Sequence, residues 1–347
     1  MNVETTIRRW LARYTLMFLV AVVAPGCAEK IPPEVVVYTS VDREIALPIL
    51  AEFTKATGVE VQAKYGTEPT ESTGLAQEIL TERERPRCDL FWNNEILGTL
   101  WLERAGLLRP FTSPAASQFP ASAQSPQGTW YGIATQARVL VINTNQIAAA
   151  RQPKSIQDLT DPQWYDRTAI AKPLYGASAT HAACLFEAWG DTKAQEFFRA
   201  VKRNAQILES DRKVAQAVAA GQLAFGLTNS GDAIIESAAG APITIVYPDQ
   251  ADGELGTLFL PSTVALVKDS PHDEPAEQLL NYLLSPEVAH RLADGQSALI
   301  PLEIGVTASD RVKPPAEVHA MPADFSAAAE HWETTATILQ AEFASGN

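Results

Sequence analysis

The sequence predicts an α/β fold with two lobes, one of which interrupts the other. Short aliphatic and β-branched runs alternate with helical stretches from Glu34 onward, a pattern typical of sheets covered by helices. The chain has 347 residues, and a single hydrophobic core stops growing at roughly 250 to 300 residues. The extended segment 243–268 is interrupted by Pro248 and a polar loop. We interpret it as a hinge that returns the chain to the first lobe, although three strands of one sheet would give the same pattern.

The first lobe begins with three predicted strand–helix pairs. We expect strands at 35–38, 59–65 and 89–92. We expect one helix that is capped by Ser40 or Asp42 and runs to about Thr57, and two further helices at 70–83 and 95–105. The order βαβαβα predicts parallel strands with helices on both faces, and such sheets bind ligands at the carboxyl ends of their strands. Those ends fall at residues 38–42, 65–73 and 92–95.

The remaining chain crosses to a second lobe and returns. A surface loop without periodicity is expected at 111–128, and the first crossing at 136–141. The second lobe has predicted strands at 168–171, 206–209 and 225–228 and helices at 178–189, 192–204, 211–220 and 231–239. The return segment is expected as two extended pieces around Pro261, followed by helices at 273–284, 286–293 and 323–343. The predicted division is therefore 33–137 for the first part of lobe 1, 138–246 for lobe 2, and 247–347 for the return to lobe 1 with the C-terminal helices.

The N-terminal residues have the features of an export signal. Arg8, Arg9 and Arg13 precede an apolar run at 14–24 that is too short to span a bilayer. The following Ala-Pro-Gly-Cys at 24–27 resembles a bacterial lipobox. We therefore expect residues 1–26 to be removed and Cys27 to be lipidated, which would anchor the protein on the periplasmic side of the cell envelope. The alternative is a plain secretory signal that is cut nearby.

Composition argues against several kinds of partner. The 41 acidic and 27 basic residues give a formal net charge of −14, which disfavours nucleic acids and anionic membrane surfaces. Cys88 and Cys184 are predicted in different lobes, so we expect no disulfide between them. The five histidines are scattered and no CxxC or HExxH motif is present, so the sequence gives no support for a zinc site.

Several stretches within about residues 35–302 carry a family resemblance, and they include YTSVDREIALPILAEFTKATGVEV, DLFWNNEILGTLWLERAGLL, VAAGQLAFGLTNS and YPDQADGELGTLFLPSTVALVK. They resemble bacterial extracellular solute-binding proteins of ABC importers, and most closely their ferric-iron-binding branch. The resemblance implies a type II periplasmic-binding-protein fold of two α/β lobes joined by two hinge crossings. It also implies ligand capture between the lobes by a monomer, and delivery to a membrane permease with an ATPase subunit.

The resemblance gives a metal hypothesis in altered form. Ferric-binding relatives usually hold the metal with two consecutive tyrosines after the strand that here precedes Ser230, and the corresponding positions, 230–232, contain no tyrosine. Asp42 stands where relatives often have a histidine, and Asn94 or Glu95 where they have a glutamate. Oxygen ligands for Fe(III), which would be the transported ligand and not a cofactor, are then expected from Asp42, Glu95, Tyr175 and Asp232.

An anion is the alternative ligand. Hydroxyl groups are predicted near helix N-termini at the cleft, where backbone N–H groups are free to bind phosphate, a phosphonate or the synergistic anion of a metal. These hydroxyls belong to Thr39, Ser40, Ser72, Thr73, Ser178 and Thr180. Plain helix capping is the simpler explanation for each of them alone, and only their occurrence together at the cleft favours an anion. The ligand class therefore stays open, and a small organic solute also remains.

A secreted hydrolase is the second alternative. No GxSxG or P-loop motif is present. Ser178 and His181 form a Ser/His pair three residues apart, for which a helix cap and a solvent-facing imidazole are the simpler expectation. Asp249 and Glu254 could serve as paired carboxylates, but acidic loops are usually only solvated.

The mechanism that we expect is closure without chemistry. The ligand would bridge first-lobe groups and second-lobe groups and shift the population toward the closed state. The first-lobe groups are Thr39, Ser40, Asp42, Asn94 and Glu95, and the second-lobe groups are Tyr175, Ser178, Thr180 and Asp232.

Overall fold

The computed structural model describes residues 32–66 and 71–343, with the side chains of residues 71–73 outside that description. The predicted export signal, Cys27, and the hydroxyls of Ser72 and Thr73 therefore lie outside the described residues. None of the helices that the structure describes is both long and apolar enough to cross a bilayer.

The described residues form eleven strands and eleven α-helices. The strands are β1 (Glu34–Thr39), β2 (Glu60–Tyr65), β3 (Leu90–Asn93), β4 (Leu108–Arg109), β5 (Trp130–Asn143), β6 (Thr168–Ala171), β7 (Gln206–Leu208), β8 (Phe225–Asn229), β9 (Ile243–Val246), β10 (Phe259–Val267) and β11 (Ile300–Pro301). The helices are α1 (Arg43–Thr57), α2 (Glu71–Thr81), α3 (Leu97–Arg104), α4 (Gly176–Trp189), α5 (Asp191–Asn204), α6 (Asp211–Ala219), α7 (Ser230–Ala238), α8 (Asp273–Leu283), α9 (Pro286–Asp294), α10 (Phe325–Glu330) and α11 (Trp332–Phe343).

Strand β5 connects two sheet regions. The strand order is β2-β1-β3-β10-β5-β8-β6-β7, with β4 on β10 and with β9 and β11 on β5. Residues of β5 up to Ala137 pair with β10, and residues from Arg138 onward pair with β8. We call the part formed by β1–β4, β10, β11 and the start of β5 the first sheet region, and the part formed by β6–β9 and the end of β5 the second. The chain leaves the second region at β9 and re-enters the first at β10.

Helices cover both faces of the central strands. All four residues of β3 are buried: Leu90 and Trp92 pack in one hydrophobic cluster, and Phe91 packs in another. In the second region, α6 packs closely on β8 where β8 has a glycine. A Cβ atom at Gly226 would lie only 2.4 Å from Val214 Cγ1 of α6. This close approach fixes the start of α6 at the end of the sheet, where the candidate site lies.

Two element predictions are wrong. The return segment is one strand, β10, in place of two pieces, because Pro261 is accommodated beside a register shift between Ser262 and Thr263. The predicted helix 323–343 is two helices, because α10 ends at Glu330 with His331 as its C-cap residue. Strands β4 and β11 have two residues each, which is too short for a periodic pattern to indicate them. Cys88 and Cys184 are both buried and free.

Candidate functional site

A cavity opens between the two sheet regions at the carboxyl ends of their strands. It encloses about 960 Å³ of empty space, part of which is open to solvent. The first region contributes Val41, Asp42 and Asn94, and the second contributes Tyr175, Asp211 and Asp232. The position is the one expected for ligand binding in an open α/β sheet.

Four helices start at this cavity. The residues that precede α1, α4, α6 and α7 all line it, and they are Asp42, Tyr175, Ser210 and Asn229. Of these four residues, only Ser210 caps its helix through its side chain. Its hydroxyl oxygen accepts a hydrogen bond from the N–H of Lys213. The other three N-termini carry no side-chain cap. Backbone N–H groups and the positive ends of helix dipoles are therefore concentrated around the cavity.

The charged side chains of the cavity are mostly acidic. Four carboxylates and two basic groups line it: Asp42, Glu209, Asp211 and Asp232, with Lys172 and Arg212. Burial raises the pKa of Asp232 well above its usual range, and the negative charges of Asp211 and Asp42 raise it further. The Asn229 amide and the Arg212 guanidinium oppose this shift of the pKa only in part. A cation among these carboxylates would favour their ionised forms.

A buried arginine stands behind the acidic wall. Arg138 Nη1 donates to Asn229 Oδ1 at 2.7 Å and lies 2.9 Å from Asp211 Oδ1, while Nη2 donates to Ser178 Oγ at 3.0 Å. The Ser178 hydroxyl in turn lies 3.2 Å from Asp211 Oδ1. Arg138 is only 1% exposed. This network fixes Asp211 in the cavity wall.

The structure brings four of the nine predicted ligand-binding residues together. Asp42, Asn94, Tyr175 and Asp232 line the cavity. The other five, Thr39, Ser40, Glu95, Ser178 and Thr180, are buried and are not part of its lining.

Local hydrogen bonds explain two of these five. Thr39 Oγ1 accepts the N–H of Val41 at 3.0 Å. Ser40 Oγ donates to Asn93 Oδ1 at 2.7 Å and accepts the N–H of Asn94 at 3.0 Å, which ties the ends of β1 and β3 together. These hydroxyls shape the cavity wall from behind it.

Glu95 turns away from the cavity. Its carboxylate accepts the N–H groups of Leu97 at 2.6 Å and Gly98 at 3.1 Å, so it caps α3. The Asn93 amide and the Thr180 hydroxyl also donate to it. Four donors therefore occupy a carboxylate that is completely buried, and in this structure it has no free position for a metal.

The residues considered for a hydrolase have structural roles. The prediction of a solvent-facing imidazole is wrong, because His181 is only 5% exposed. Burial, together with the positive charge of Arg138, lowers the pKa of His181 well below its usual range. Asp249 is buried and accepts Ser155 Oγ and the N–H of Ile156, whereas Glu254 accepts the N–H of Ala251 within its own loop.

The structure adds lining residues that the sequence analysis missed. Lys172, Asp211 and Arg212 follow strands of the predicted second lobe, so the strand-end rule applied to that lobe would have selected them. Thr135 lies within β5, and no sequence signal marks it. Its hydroxyl is buried and has no hydrogen-bond partner within the described residues.

A metal in this cavity would need more than carboxylates. Among the residues that the structure describes, no three His, Cys, Asp or Glu side chains are grouped closely enough to hold a metal ion. The Tyr175 oxygen or an oxygen from a bound anion would have to complete the coordination.

A cavity between two α/β regions, at the carboxyl ends of their strands, is where open α/β sheets bind ligands. A protein-family model described as a bacterial extracellular solute-binding protein matches residues 94–328. The chain belongs to this family. Its members bind small solutes for transport with ABC transporters and are not enzymes, and membership implies an exported protein.

Relatives and one solved structure refine this placement. The chain is 23% identical over 317 residues to the major ferric iron-binding protein of Neisseria meningitidis, which covers 89% of this chain and 92% of the relative. It is 26% identical over 193 residues to the Fe(3+)-binding periplasmic protein of Serratia marcescens, which is 56% of each chain. A Salmonella typhi protein named for 2-aminoethylphosphonate binding is 24% identical over 265 residues, 74% of each chain.

The fold is confirmed by comparison with iron-bound HitA from Pseudomonas aeruginosa. The two structures superpose with a TM-score of 0.81 at 24% identity, over 89% of this chain and 99% of HitA. The predicted type II periplasmic-binding-protein fold is therefore present. The resemblance to the ferric-iron-binding branch is likewise confirmed.

Proposed function

We propose that this protein is the substrate-binding component of an ABC importer and that it captures Fe(III), together with a small anion, between its two lobes. One observation supports this most strongly: Asp42 from the first sheet region and Asp232 from the second line the same cavity as Tyr175. Fe(III) is a hard cation that prefers such oxygen ligands. The ion is cargo for a permease and its ATPase subunit.

The electrostatics of the cavity favour a cation. The negative charges of Asp42 and Asp211 already raise the pKa of Asp232, so these carboxylates repel one another. A multivalent cation removes that repulsion. The tyrosine pair of ferric-binding relatives is absent at Ser230 to Asp232, and carboxylate oxygens would stand in for phenolate oxygens.

The anion has its own supporting groups. Three helix N-termini at the cavity carry no side-chain cap, and Lys172 and Arg212 supply positive charge beside them. An anion bound there would complete the coordination of a metal that has too few protein ligands.

Capture would operate by closure. Asp42 and Asn94 lie on one side of the cavity and Tyr175 and Asp232 on the other, so a ligand that binds both sides stabilises the closed arrangement. The permease would then recognise the closed form. Small-angle scattering should show compaction under saturating ligand, and no compaction would reject this mechanism.

A phosphonate or phosphate is the second candidate ligand. The observation in its favour is that uncapped helix N-termini and the unpartnered Thr135 hydroxyl supply donors without any metal. The same receptor role would then serve an anion.

Calorimetric titration of the metal-stripped protein distinguishes the two candidates. Ferric citrate, inorganic phosphate and 2-aminoethylphosphonate are titrated in turn. Tight binding of iron alone supports the first proposal. No binding of iron together with tight binding of the phosphonate would assign the ligand to the anion class. The receptor role would be unchanged.

The N-terminal proposal is that Cys27 carries a lipid and anchors the protein on the periplasmic side of the membrane. Mass spectrometry of the protein from its native membrane tests this directly. If wild type and Cys27→Ser both give a soluble protein whose first residue is not residue 27, lipidation is contradicted.

A further inference from the structure

Thr180 joins the two sheet regions on one side of the cavity. It belongs to α4, which follows β6 of the second region, and its hydroxyl donates to the carboxylate of Glu95, which follows β3 of the first. Thr180 is 1% exposed and Glu95 is completely buried. A hydrogen bond to a buried charged group is costly to lose, because no water replaces the missing partner. This bond therefore ties the two regions together.

Each partner of this bond adjoins a residue that lines the cavity. Glu95 directly follows Asn94. Thr180 lies one turn after Gly176 on α4, with its hydroxyl oxygen 3.3 Å from the Gly176 carbonyl oxygen, and Gly176 directly follows Tyr175. The bond therefore holds Asn94 of one cavity wall and Tyr175 of the other in a fixed relation.

The same turn of α4 is bound to the strand that crosses between the two regions. Ser178 Oγ accepts a hydrogen bond from Arg138 Nη2 at 3.0 Å, and Arg138 is the first residue of β5 that pairs with β8. Ser178 and Thr180 thus attach the start of α4 to the crossing strand and to the first region. At this point the second region cannot move far from the first without breaking buried hydrogen bonds.

Apolar packing surrounds the start of α4. Leu97 and Leu100 of α3, Ala183 of α4 and Ala329 of α10 belong to one hydrophobic cluster, and α10 contacts both α3 and α4. If the two regions separated here, these apolar side chains would be exposed to water. Separation on this side of the cavity is therefore unfavourable.

The two regions also face each other across a groove that is open to solvent. The groove continues from the cavity past Asp42 and Arg212, and its lining includes Glu44 of α1 and Ile235 of α7. Because water already reaches this groove, widening it exposes less new apolar surface than separation beside Thr180. Opening should therefore take place on the side of the groove.

We propose that Thr180 is a positioning residue of the binding site, and that its hydrogen bond between the two regions is the fixed point about which they rotate. Asn94 and Tyr175 then keep their separation in every state, whereas Asp42 and Asp232 move apart when the cavity opens. Thr180 is not part of the cavity lining, so it acts on the ligand only through these residues. The inference rests on the proposed capture by closure and is independent of which ligand is captured.

Crystal structures of the protein without ligand and with ferric citrate or 2-aminoethylphosphonate test the fixed point. The Cα distance between Asp42 and Asp232 should differ by more than about 2 Å between the two states, and the Cα distance between Asn94 and Tyr175 by less than about 1 Å. The hydrogen bond from the Thr180 hydroxyl to its carboxylate partner should be present in both states. A broken bond in the ligand-free structure, or equally large changes in the two distances, would overturn the inference and leave capture by closure intact.

Spin-label distances in solution test the role of the Thr180 hydroxyl. The labels are attached at Glu44→Cys and Ser237→Cys, which are exposed positions of α1 and α7, in a Cys27→Ser background, since the other two cysteines are buried. The ligand-free protein should give a longer distance that shortens when ligand is added. Thr180→Val keeps the shape of the side chain but removes the donor, and it should extend the ligand-free distances by about 2 Å or more.

Thr180→Ser is the matched control, because it retains the hydroxyl donor and should give the same distances as the protein with Thr180. Unchanged distances in Thr180→Val would overturn the positioning role, and so would distances in Thr180→Ser that are as long as those in Thr180→Val. A label distance that neither ferric citrate nor 2-aminoethylphosphonate shortens would contradict capture by closure and the inference together with it.

Discussion

Arg138 Nη1 lies 2.9 Å from Asp211 Oδ1, and this ion pair links the strand that crosses between the two sheet regions to the wall of the cavity. Arg138 is the first residue of β5 that pairs with β8, and its side chain is 1% exposed. The positive charge of Arg138 and the negative charge of Asp211 therefore neutralise each other at the point where the two lobes join. The cavity residue Asp211 is therefore held in place by an arginine that does not itself line the cavity.

Arg138→Met should destabilise the protein. The substitution leaves the carboxylate of Asp211 without its partner and removes the donors to Asn229 and Ser178. Breaking a buried pair in this way should lower the free energy of unfolding by about 3 kcal/mol. Urea denaturation measures the loss. Arg212→Met is the control on the same cavity and should change stability by less than about 0.5 kcal/mol, so equal losses in both variants would contradict the role of the pair.

Glu95→Gln should reduce stability and leave iron affinity unchanged. Both carboxylate oxygens of Glu95 accept backbone N–H groups at the start of α3. In the glutamine variant, the side-chain NH₂ group would replace one of these oxygens and would face an N–H donor. An unpaired buried donor costs about 2 kcal/mol. Denaturation and an iron titration are run on the same preparation. Normal stability with weakened iron binding would return Glu95 to the ligand set.

Glu95 and Asp232 show how far the sequence predicts the site. Both follow predicted strand ends, and the strand-end rule treats them alike. The turn geometry directs Glu95 back onto its own helix and Asp232 into the cavity, and a single sequence does not specify that geometry. Arg138 lies in an apolar run whose periodicity predicts a strand but does not indicate which buried position holds a charge.

The order of strands and helices was predictable because long segments carry a clear period. The helix that we expected to start after Ser40 or Asp42 and to run to about Thr57 is α1, and Asp42 is its N-cap residue. The expected break at Pro261 does not exist, because a bulge accommodates the proline within one strand. The break at His331 was missed, because a single helix-ending residue leaves the hydrophobic pattern almost unchanged.

Asp249→Asn should stabilise the protein at neutral pH. Burial raises the pKa of Asp249 to about 6, whereas an unfolded Asp titrates near 3.9. Between these values the folded state binds more protons than the unfolded state, so wild-type stability falls as the pH rises from about 4 to 6. Asn keeps an oxygen for the Ser155 hydroxyl and the N–H of Ile156 and carries no charge.

The expected gain for Asp249→Asn is about 2 kcal/mol at pH 7.5 and close to zero below pH 4. Urea denaturation at the two pH values measures it. Asp252→Asn, an exposed change in the same loop, should have no such pH dependence. A gain for Asp249→Asn that is equal at both pH values would show that the pKa shift is not its cause.

Tyr175→Phe should remove a visible absorption band from the iron-loaded protein. A phenolate bound to Fe(III) gives a ligand-to-metal charge-transfer band, and Tyr175 lines the cavity at the start of α4. Iron affinity should fall about 10-fold or more through loss of one ligand. Tyr165→Phe is the control, since Tyr165 is 67% exposed and outside this cavity. A band that persists in Tyr175→Phe would exclude Tyr175 as a ligand.

Asp232 tests the central claim most directly, because it lines the cavity from the second sheet region and its pKa is raised by burial and by the neighbouring carboxylates. The decisive measurement is the Fe(III) affinity of wild type, Asp232→Asn and the exposed control Asp252→Asn, obtained by competition with a ferric chelator at pH 7. The proposal predicts a loss of about 100-fold in Asp232→Asn, with a folded protein and an unchanged control. An affinity in Asp232→Asn equal to that of wild type would contradict iron capture by this cavity.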